Sequence, residues 1–99
     1  MIIVTGTLHA RPDALAEVLA LSREHVARSR AEPGCLEHGV AIDVDDPHRL
    51  VFFERWADRA SIGAHLQLPA SRGFGKRVAA LVDQPPTLTM FDATELDRP

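Results

Sequence analysis

Ninety-nine residues at 45 % hydrophobic and 25 % charged make one domain, residues 1–99, of ordinary globular composition with room for a small core. A net charge of −3, with the arginines scattered among acids, removes the electrostatic footprint of a nucleic-acid binder, and no apolar run approaches membrane-spanning length. Cys35 is the only cysteine, which excludes an internal disulfide; the opening MIIVTGTLHA has no basic leader before its apolar residues, so a cytoplasmic chain without a signal peptide is expected.

Ile2 to His9 read as a first strand, with Ile2, Val4 and Leu8 on one side and Ile3, Thr5, Thr7 and His9 on the other. Arg11-Pro12-Asp13 opens a helix running from Ala14 to about Ala31, because proline is tolerated in a first turn where no amide hydrogen is needed. Its apolar stripe is Leu15, Val18, Leu19, Ser22 and Val26, which leaves His25 at a helix edge. Glu32-Pro33-Gly34 ends that helix. A second strand follows from Cys35 to about Val44, and the turn Asp45-Asp46-Pro47-His48 folds it back as a hairpin. Pairing even-numbered residues on one face places His38, Val40, Ile42 and Val44 with Leu50, Phe52, Glu54 and Trp56, and lets Glu37 meet Arg55.

The stretch from Arg49 to Leu66 gathers the most chemistry. Leu50 to Trp56 is a strand rich in aromatic and β-branched types, and period two puts Glu54 and Trp56 on one side. Asp58 supplies an N-cap to a helix that turns Ile62, His65 and Leu66 to one face. Leu68-Pro69 breaks the chain before a further helix with the stripe Phe74, Val78, Leu81 and Val82, and Gln84-Pro85-Pro86 precedes a last strand from Thr87 to about Glu95. Leu96 to Pro99 is a tail.

The order β-α-β-β-α-β predicts an α+β fold of the ferredoxin-like, split-βαβ kind: a four-stranded antiparallel sheet with helices on one face. The third strand is apolar on both faces, and one helical layer covers only one of them. An exposed apolar sheet face on a small protein marks an interface, so a homodimer with sheets packed face to face is expected.

Glu32-Pro33-Gly34-Cys35-Leu36, the Asp-rich hairpin and Glu54-x-Trp56-x-Asp58, with His65 seven residues on, resemble the antibiotic biosynthesis monooxygenase domain, the dimeric α+β barrel group that includes quinol monooxygenases. The resemblance runs from about Ile2 to Glu95. It implies a homodimer, a pocket between sheet and helices in each protomer, and oxidation of a hydroquinone or polyphenol by molecular oxygen with no metal or flavin cofactor. Carried onto matching positions, it implies that Trp56 is an aromatic wall and His65 a hydrogen-bonding residue or general base. His38, where the family often has tyrosine, is the second catalytic candidate, and Glu54 and Phe52 complete the substrate side. This chain has no tyrosine. A related branch degrades haem with an asparagine on the first strand, and the absence of asparagine disfavours that activity here. The partners implied are a second copy, a small aromatic substrate and oxygen. A non-catalytic dimer that binds a small hydrophobic molecule is one alternative, and an isomerase or cyclase on the same barrel is the other.

Each candidate also has a plainer role. Trp56 would serve as core, His65 as a histidine satisfied by Glu54 or a backbone carbonyl, and Cys35 as a small buried hydrophobe. Glu54 in an apolar strand needs a partner, expected to be an arginine of the same chain or the other protomer. His9, His25 and His48 read as surface. No H-x-x-x-H or C-x-x-C spacing occurs, so no metal site is expected.

Overall fold

A computed structural model describes residues 1–98, so Pro99 at the end of the expected tail lies outside the described residues. The first strand, β1 (Ile2–His9), alternates as its sequence does, burying Ile2, Val4 and Leu8 and leaving Ile3, Thr5, Thr7 and His9 half-covered. A single 3₁₀ turn over Pro12–Ala14 leads into α1 (Leu15–Ser29). Its buried face is Val18, Leu21, Ser22, His25, Val26 and Ser29, rotated from the expected stripe, with Leu15 and Leu19 only half-buried. Helical neighbours three and four apart share that face, which turns His25 inward from the surface position expected of it.

Gly34 makes the turn out of α1 with φ of 81°, the left-handed region, and a Cβ there would stand 2.0 Å from Ser61 Oγ. β2 (Cys35–Asp43) and β3 (Asp46–Trp56) then form the hairpin in the expected register, with His38 opposite Glu54, Val40 opposite Phe52 and Ile42 opposite Leu50. Arg55 Nε donates to Glu37 Oε1 at 2.8 Å on the other face. The turn is shorter than Asp45–His48: only Val44 and Asp45 lie between the strands, and Asp46 and Pro47 are already in β3. Asp43 accepts from the Asp45 amide at 2.8 Å and Asp46 from the His48 amide at 3.0 Å, so side chains supply the bonds that tighten it.

Asp58 caps α2 (Arg59–Gln67) by accepting from the Ser61 amide at 2.8 Å and the Ser61 hydroxyl at 2.7 Å. Pro69 opens α3 (Pro69–Ala79), and β4 (Thr87–Asp92) closes the sheet. All neighbouring strands are antiparallel in the order β2-β3-β1-β4, the ferredoxin-like arrangement.

Two apolar clusters hold sheet and helices together. Leu8, Ala10, Val18, Leu21, Val26, Leu50, Phe52 and Val78 form one; Ile2, Val4, Trp56 and Ile62 form the other, with half-buried Cys35 against it. Along β3, Phe52 belongs to the first and Trp56 to the second, so Glu54 stands at the seam. The helices leave β4 exposed along its whole length. On the helix side of β4, Leu88 and Met90 are 55 % and 50 % exposed, and on the far face of the sheet Phe53 and Phe91 are 39 % and 49 % exposed. Among the described residues no helix is long and apolar enough to cross a membrane.

Candidate active site

Glu54 is buried in the apolar seam, where an unpartnered carboxylate would be costly. Its partner is the Trp56 indole, whose Nε1–H donates to Oε1 at 2.8 Å. No arginine among the described residues pairs with it, contrary to expectation, because β3 alternation brings the indole two residues on to the same side. His38 Nε2, across the hairpin, stands 3.3 Å from the same oxygen, out of line for a hydrogen bond. Burial pushes the Glu54 pKa up, but His38, the indole and the more distant His65 outweigh it, and the group lies below its ordinary value. Glu54 is therefore a buried carboxylate.

His65 reaches the seam from α2. Its Nδ1 bonds Glu32 Oε1 at 2.8 Å, with Ser71 Oγ at 3.5 Å, and its ring lies 4.7 Å from the Trp56 ring. The satisfying partner is thus Glu32 of the α1–β2 turn, neither Glu54 nor a backbone carbonyl. His38 is 2 % exposed, and neither of its ring nitrogens has a hydrogen-bond partner among the described residues. Arg30 Nε holds its carbonyl at 2.8 Å.

The third imidazole is His25. It stacks on Phe74 of α3 at 4.1 Å and 6°, and lies 5.2 Å from His65 and 5.4 Å from His38 between ring centroids. Burial first, then the neighbouring His38, His65 and Arg28, push its pKa down to about 3, so the ring is neutral at physiological pH. The sequence held the signal: positions 18, 22, 25 and 29 follow the helical repeat that buries Val18 and Ser22.

His25, Glu54 and His65 open on a cavity of about 230 Å³ walled by Phe52, Phe74 and Leu88. The cavity reaches the surface beside β4, where Leu88 is exposed. Of the residues singled out in the sequence, His65, Glu54 and Phe52 line it. Trp56 and His38 are buried behind Glu54 and His65 and touch the cavity only through them. His9, read as surface, is half-buried between Asp83 Oδ1 at 2.6 Å and Asp46 Oδ2 at 2.8 Å; the Asp83 bond, then the Asp46 bond, raise its pKa. Burial raises the Cys35 pKa too, which keeps it a thiol.

A sequence model of the antibiotic biosynthesis monooxygenase family matches residues 1–77. The chain belongs to that family. It is 31 % identical over 94 residues to an uncharacterised protein of Synechocystis, covering 95 % of this chain and spanning 64 % of that protein's length. It is also 30 % identical over 81 residues to Rv0793 of Mycobacterium tuberculosis, provisionally named a monooxygenase, covering 82 % of this chain and 79 % of that protein. Among solved structures, one described as an antibiotic biosynthesis monooxygenase superposes with a TM-score of 0.89 at 33 % identity, covering 96 % of this chain and 100 % of the other. A Deinococcus radiodurans protein provisionally given the same name superposes at 0.94 and 26 % identity, covering 99 % and 97 %.

The family assignment leaves the chemistry to the residues. One ring nitrogen from each of His25, His38 and His65 lies within 4.8 Å of the others, a convergence that the linear spacing of the histidines hides. An ion held by imidazoles at about 2.0–2.1 Å needs those nitrogens roughly 3.3 Å apart, and it needs lone pairs. Arg28 Nη2 already occupies Nδ1 of His25 at 3.2 Å. As arranged, His25 and His65 make hydrogen bonds and the His38 ring makes none among the described residues; ligation would require the three to close up and His25 to shed Arg28. In an apolar cavity, a neutral imidazole beside a carboxylate suits removal of a proton from a bound hydroxyl.

Proposed function

We propose that this chain is a cofactor-independent monooxygenase that oxidises a hydroquinone or phenol of one or two rings with molecular oxygen. The supporting observation is His65: its Nδ1 is held by Glu32, its Nε2 has no partner among the described residues, and it lines an apolar cavity next to the Glu54 carboxylate. Deprotonation turns a hydroquinone into an electron-rich phenolate able to pass electrons to oxygen. One oxygen atom enters the ring, the other leaves as water, and the substrate supplies both reducing equivalents, so that hydroquinone and O2 give hydroxyquinone and water. A cavity of about 150 Å³ accommodates benzene, so about 230 Å³ suits one ring or a compact pair.

The reading includes a homodimer through the sheet face bearing Phe53 and Phe91, with β4 near the interface, and a cytoplasmic setting in which Cys35 stays reduced. Oxygen uptake with menadiol in a metal-free and flavin-free preparation is the test. Uptake should exceed autoxidation and fall at least about a hundredfold in His65→Ala, the low end for loss of a general base, and sedimentation should give a dimer. Rates equal to autoxidation would refute the monooxygenase reading. Tight binding of an aromatic without uptake would then favour a non-catalytic module, and anaerobic product formation an isomerase or cyclase.

A further inference from the structure

His25 and His65 line one cavity, and the second nitrogen of each ring is pinned by a group of opposite hydrogen-bonding character. Arg28 Nη2 lies 3.2 Å from His25 Nδ1, and the same nitrogen also donates to the Ala70 carbonyl at 3.3 Å, which fixes the guanidinium between α1 and α3. A guanidinium has no acceptor, so Nδ1 of His25 must accept and the proton of the neutral ring sits on Nε2. At His65 the pinning group is the Glu32 carboxylate, 2.8 Å from Nδ1. A carboxylate only accepts, so Nδ1 carries the proton and Nε2 the lone pair. Among the described residues neither Nε2 has a protein partner, and neither is sealed by protein.

We propose that His25 and His65, locked in opposite tautomers by Arg28 and Glu32, together bind one phenolic hydroxyl, His65 Nε2 taking its proton and His25 Nε2–H donating to its oxygen. The spacing of the rings allows it: one ring nitrogen of His25 and one of His65 lie within 4.8 Å of each other, and two hydrogen bonds of about 2.8 Å can meet at one oxygen across a gap of that size at no more than about 120°. As the proton moves from oxygen to His65 Nε2, the O–H bond pair stays on oxygen. The imidazolium formed is held by Glu32, and the phenolate keeps the His25 N–H, now a charge-assisted bond. A permanently neutral His25 can give this bond without competing for the proton. The pair selects a free hydroxyl over an ether, which has no proton to give. His25 thereby becomes a catalytic residue, with Arg28 and Glu32 as positioning residues. The inference rests on the reading that the cavity takes a phenol.

Long-range 1H–15N spectra of the full chain with labelled histidine read the tautomers directly; His25 should carry its proton on Nε2 and His65 on Nδ1. The second measurement uses 4-nitrophenol, which oxygen does not oxidise. At pH 6, where the free probe is largely un-ionised, the bound probe should absorb as the anion. Arg28→Met should release the His25 tautomer and lower kcat for menadiol by about tenfold to a hundredfold at little-changed KM, and Arg28→Lys, which keeps a donor, should restore part of it. Arg28 is about a third exposed, so these variants should fold, and the wild-type spectra decide the tautomers in any case. Matching tautomers in the two rings, a bound probe that stays neutral, or an unchanged kcat in Arg28→Met would each overturn the proposal while menadiol turnover stood. No probe binding together with no oxygen uptake would instead overturn the phenol reading, and the shared hydroxyl with it, whatever the tautomers.

Discussion

Replacing Trp56 by phenylalanine separates the indole's hydrogen bond from its bulk. The Nε1–H donates to Glu54 at 2.8 Å, and both residues are buried, so the variant leaves a buried carboxylate one donor short. A lost bond to a buried charged group costs about 1.5–3 kcal/mol. Phenylalanine is also smaller by about 40 Å³, and at about 24 cal/mol per Å³ the void adds about 1 kcal/mol. The sum, about 2.5–4 kcal/mol, is a large share of the roughly 5–15 kcal/mol that stabilises a domain, and it should lower Tm by at least about 10 °C. The pH dependence carries the sharper test. Because the Glu54 pKa is depressed in the fold, its contribution is present above the ordinary value of 4.5 and is lost as pH falls through the folded value. The gap between wild type and Trp56→Phe in urea midpoints should therefore narrow below pH 4.5. In a Glu54→Gln background, whose amide oxygen still accepts from the indole, the gap should be smaller and flat with pH. A cost below about 1 kcal/mol, or a gap that ignores pH, would refute the link between indole and carboxylate.

Two further expectations concern backbone and charge. His25 has a pKa of about 3 in the fold against 6.5 unfolded, so the unfolded chain binds the extra proton and stability drains away as pH falls from 6.5 towards 3. Between pH 6.5 and 5 that is about 2 kcal/mol, and His25→Gln should gain about that much relative to wild type over the same interval in urea titrations; parallel curves would mean that His25 is not held neutral. Gly34→Ala should cost about 1–3 kcal/mol for the left-handed backbone alone, and more because the new Cβ meets Ser61 Oγ at 2.0 Å; a double variant with Ser61→Gly should recover the steric part but not the conformational part in thermal melts.

The fold was legible because local signals agreed with one another. Asp58 capped the helix it was expected to cap, Pro69 opened the next, and the pairing of Glu37 with Arg55 fixed a register that alternation alone had suggested. The candidate site was legible only where one strand or one helix carries it: Phe52 and Glu54 share a face by period two, and His65 follows from the helix after Asp58. What joins those residues is long-range. His65 finds Glu32 thirty-three positions away, and Phe74 stacks on His25 from a different helix, contacts for which no local pattern exists. His25 was misplaced for a different reason. The expected stripe of Leu15, Val18, Leu19, Ser22 and Val26 leaves position 25 at its edge, whereas α1 is rotated so that Leu15 and Leu19 are only half-buried and Leu21, His25 and Ser29 join the buried face, because the seam it packs against is polar.

That polar seam is where the sequence works against its own core. Between two apolar clusters the fold buries Ser22, His25, Ser29, His38, Glu54 and His65, and at His38 both ring nitrogens lack partners among the described residues. A leucine or phenylalanine would fill the same space without the desolvation cost of about 1–3 kcal/mol per unmet group. Packing therefore does not explain why imidazoles stand there. Their distribution does: the three rings and the carboxylate converge on one point of β3, they are fixed from outside by Trp56, Glu32 and Arg28, and the nitrogens left free belong to His38 and to the rings that line the cavity. His25 and His65 are each held by a partner at one ring nitrogen and unpartnered among the described residues at the other, and the stability lost in burying these groups is offset by the apolar clusters above and below.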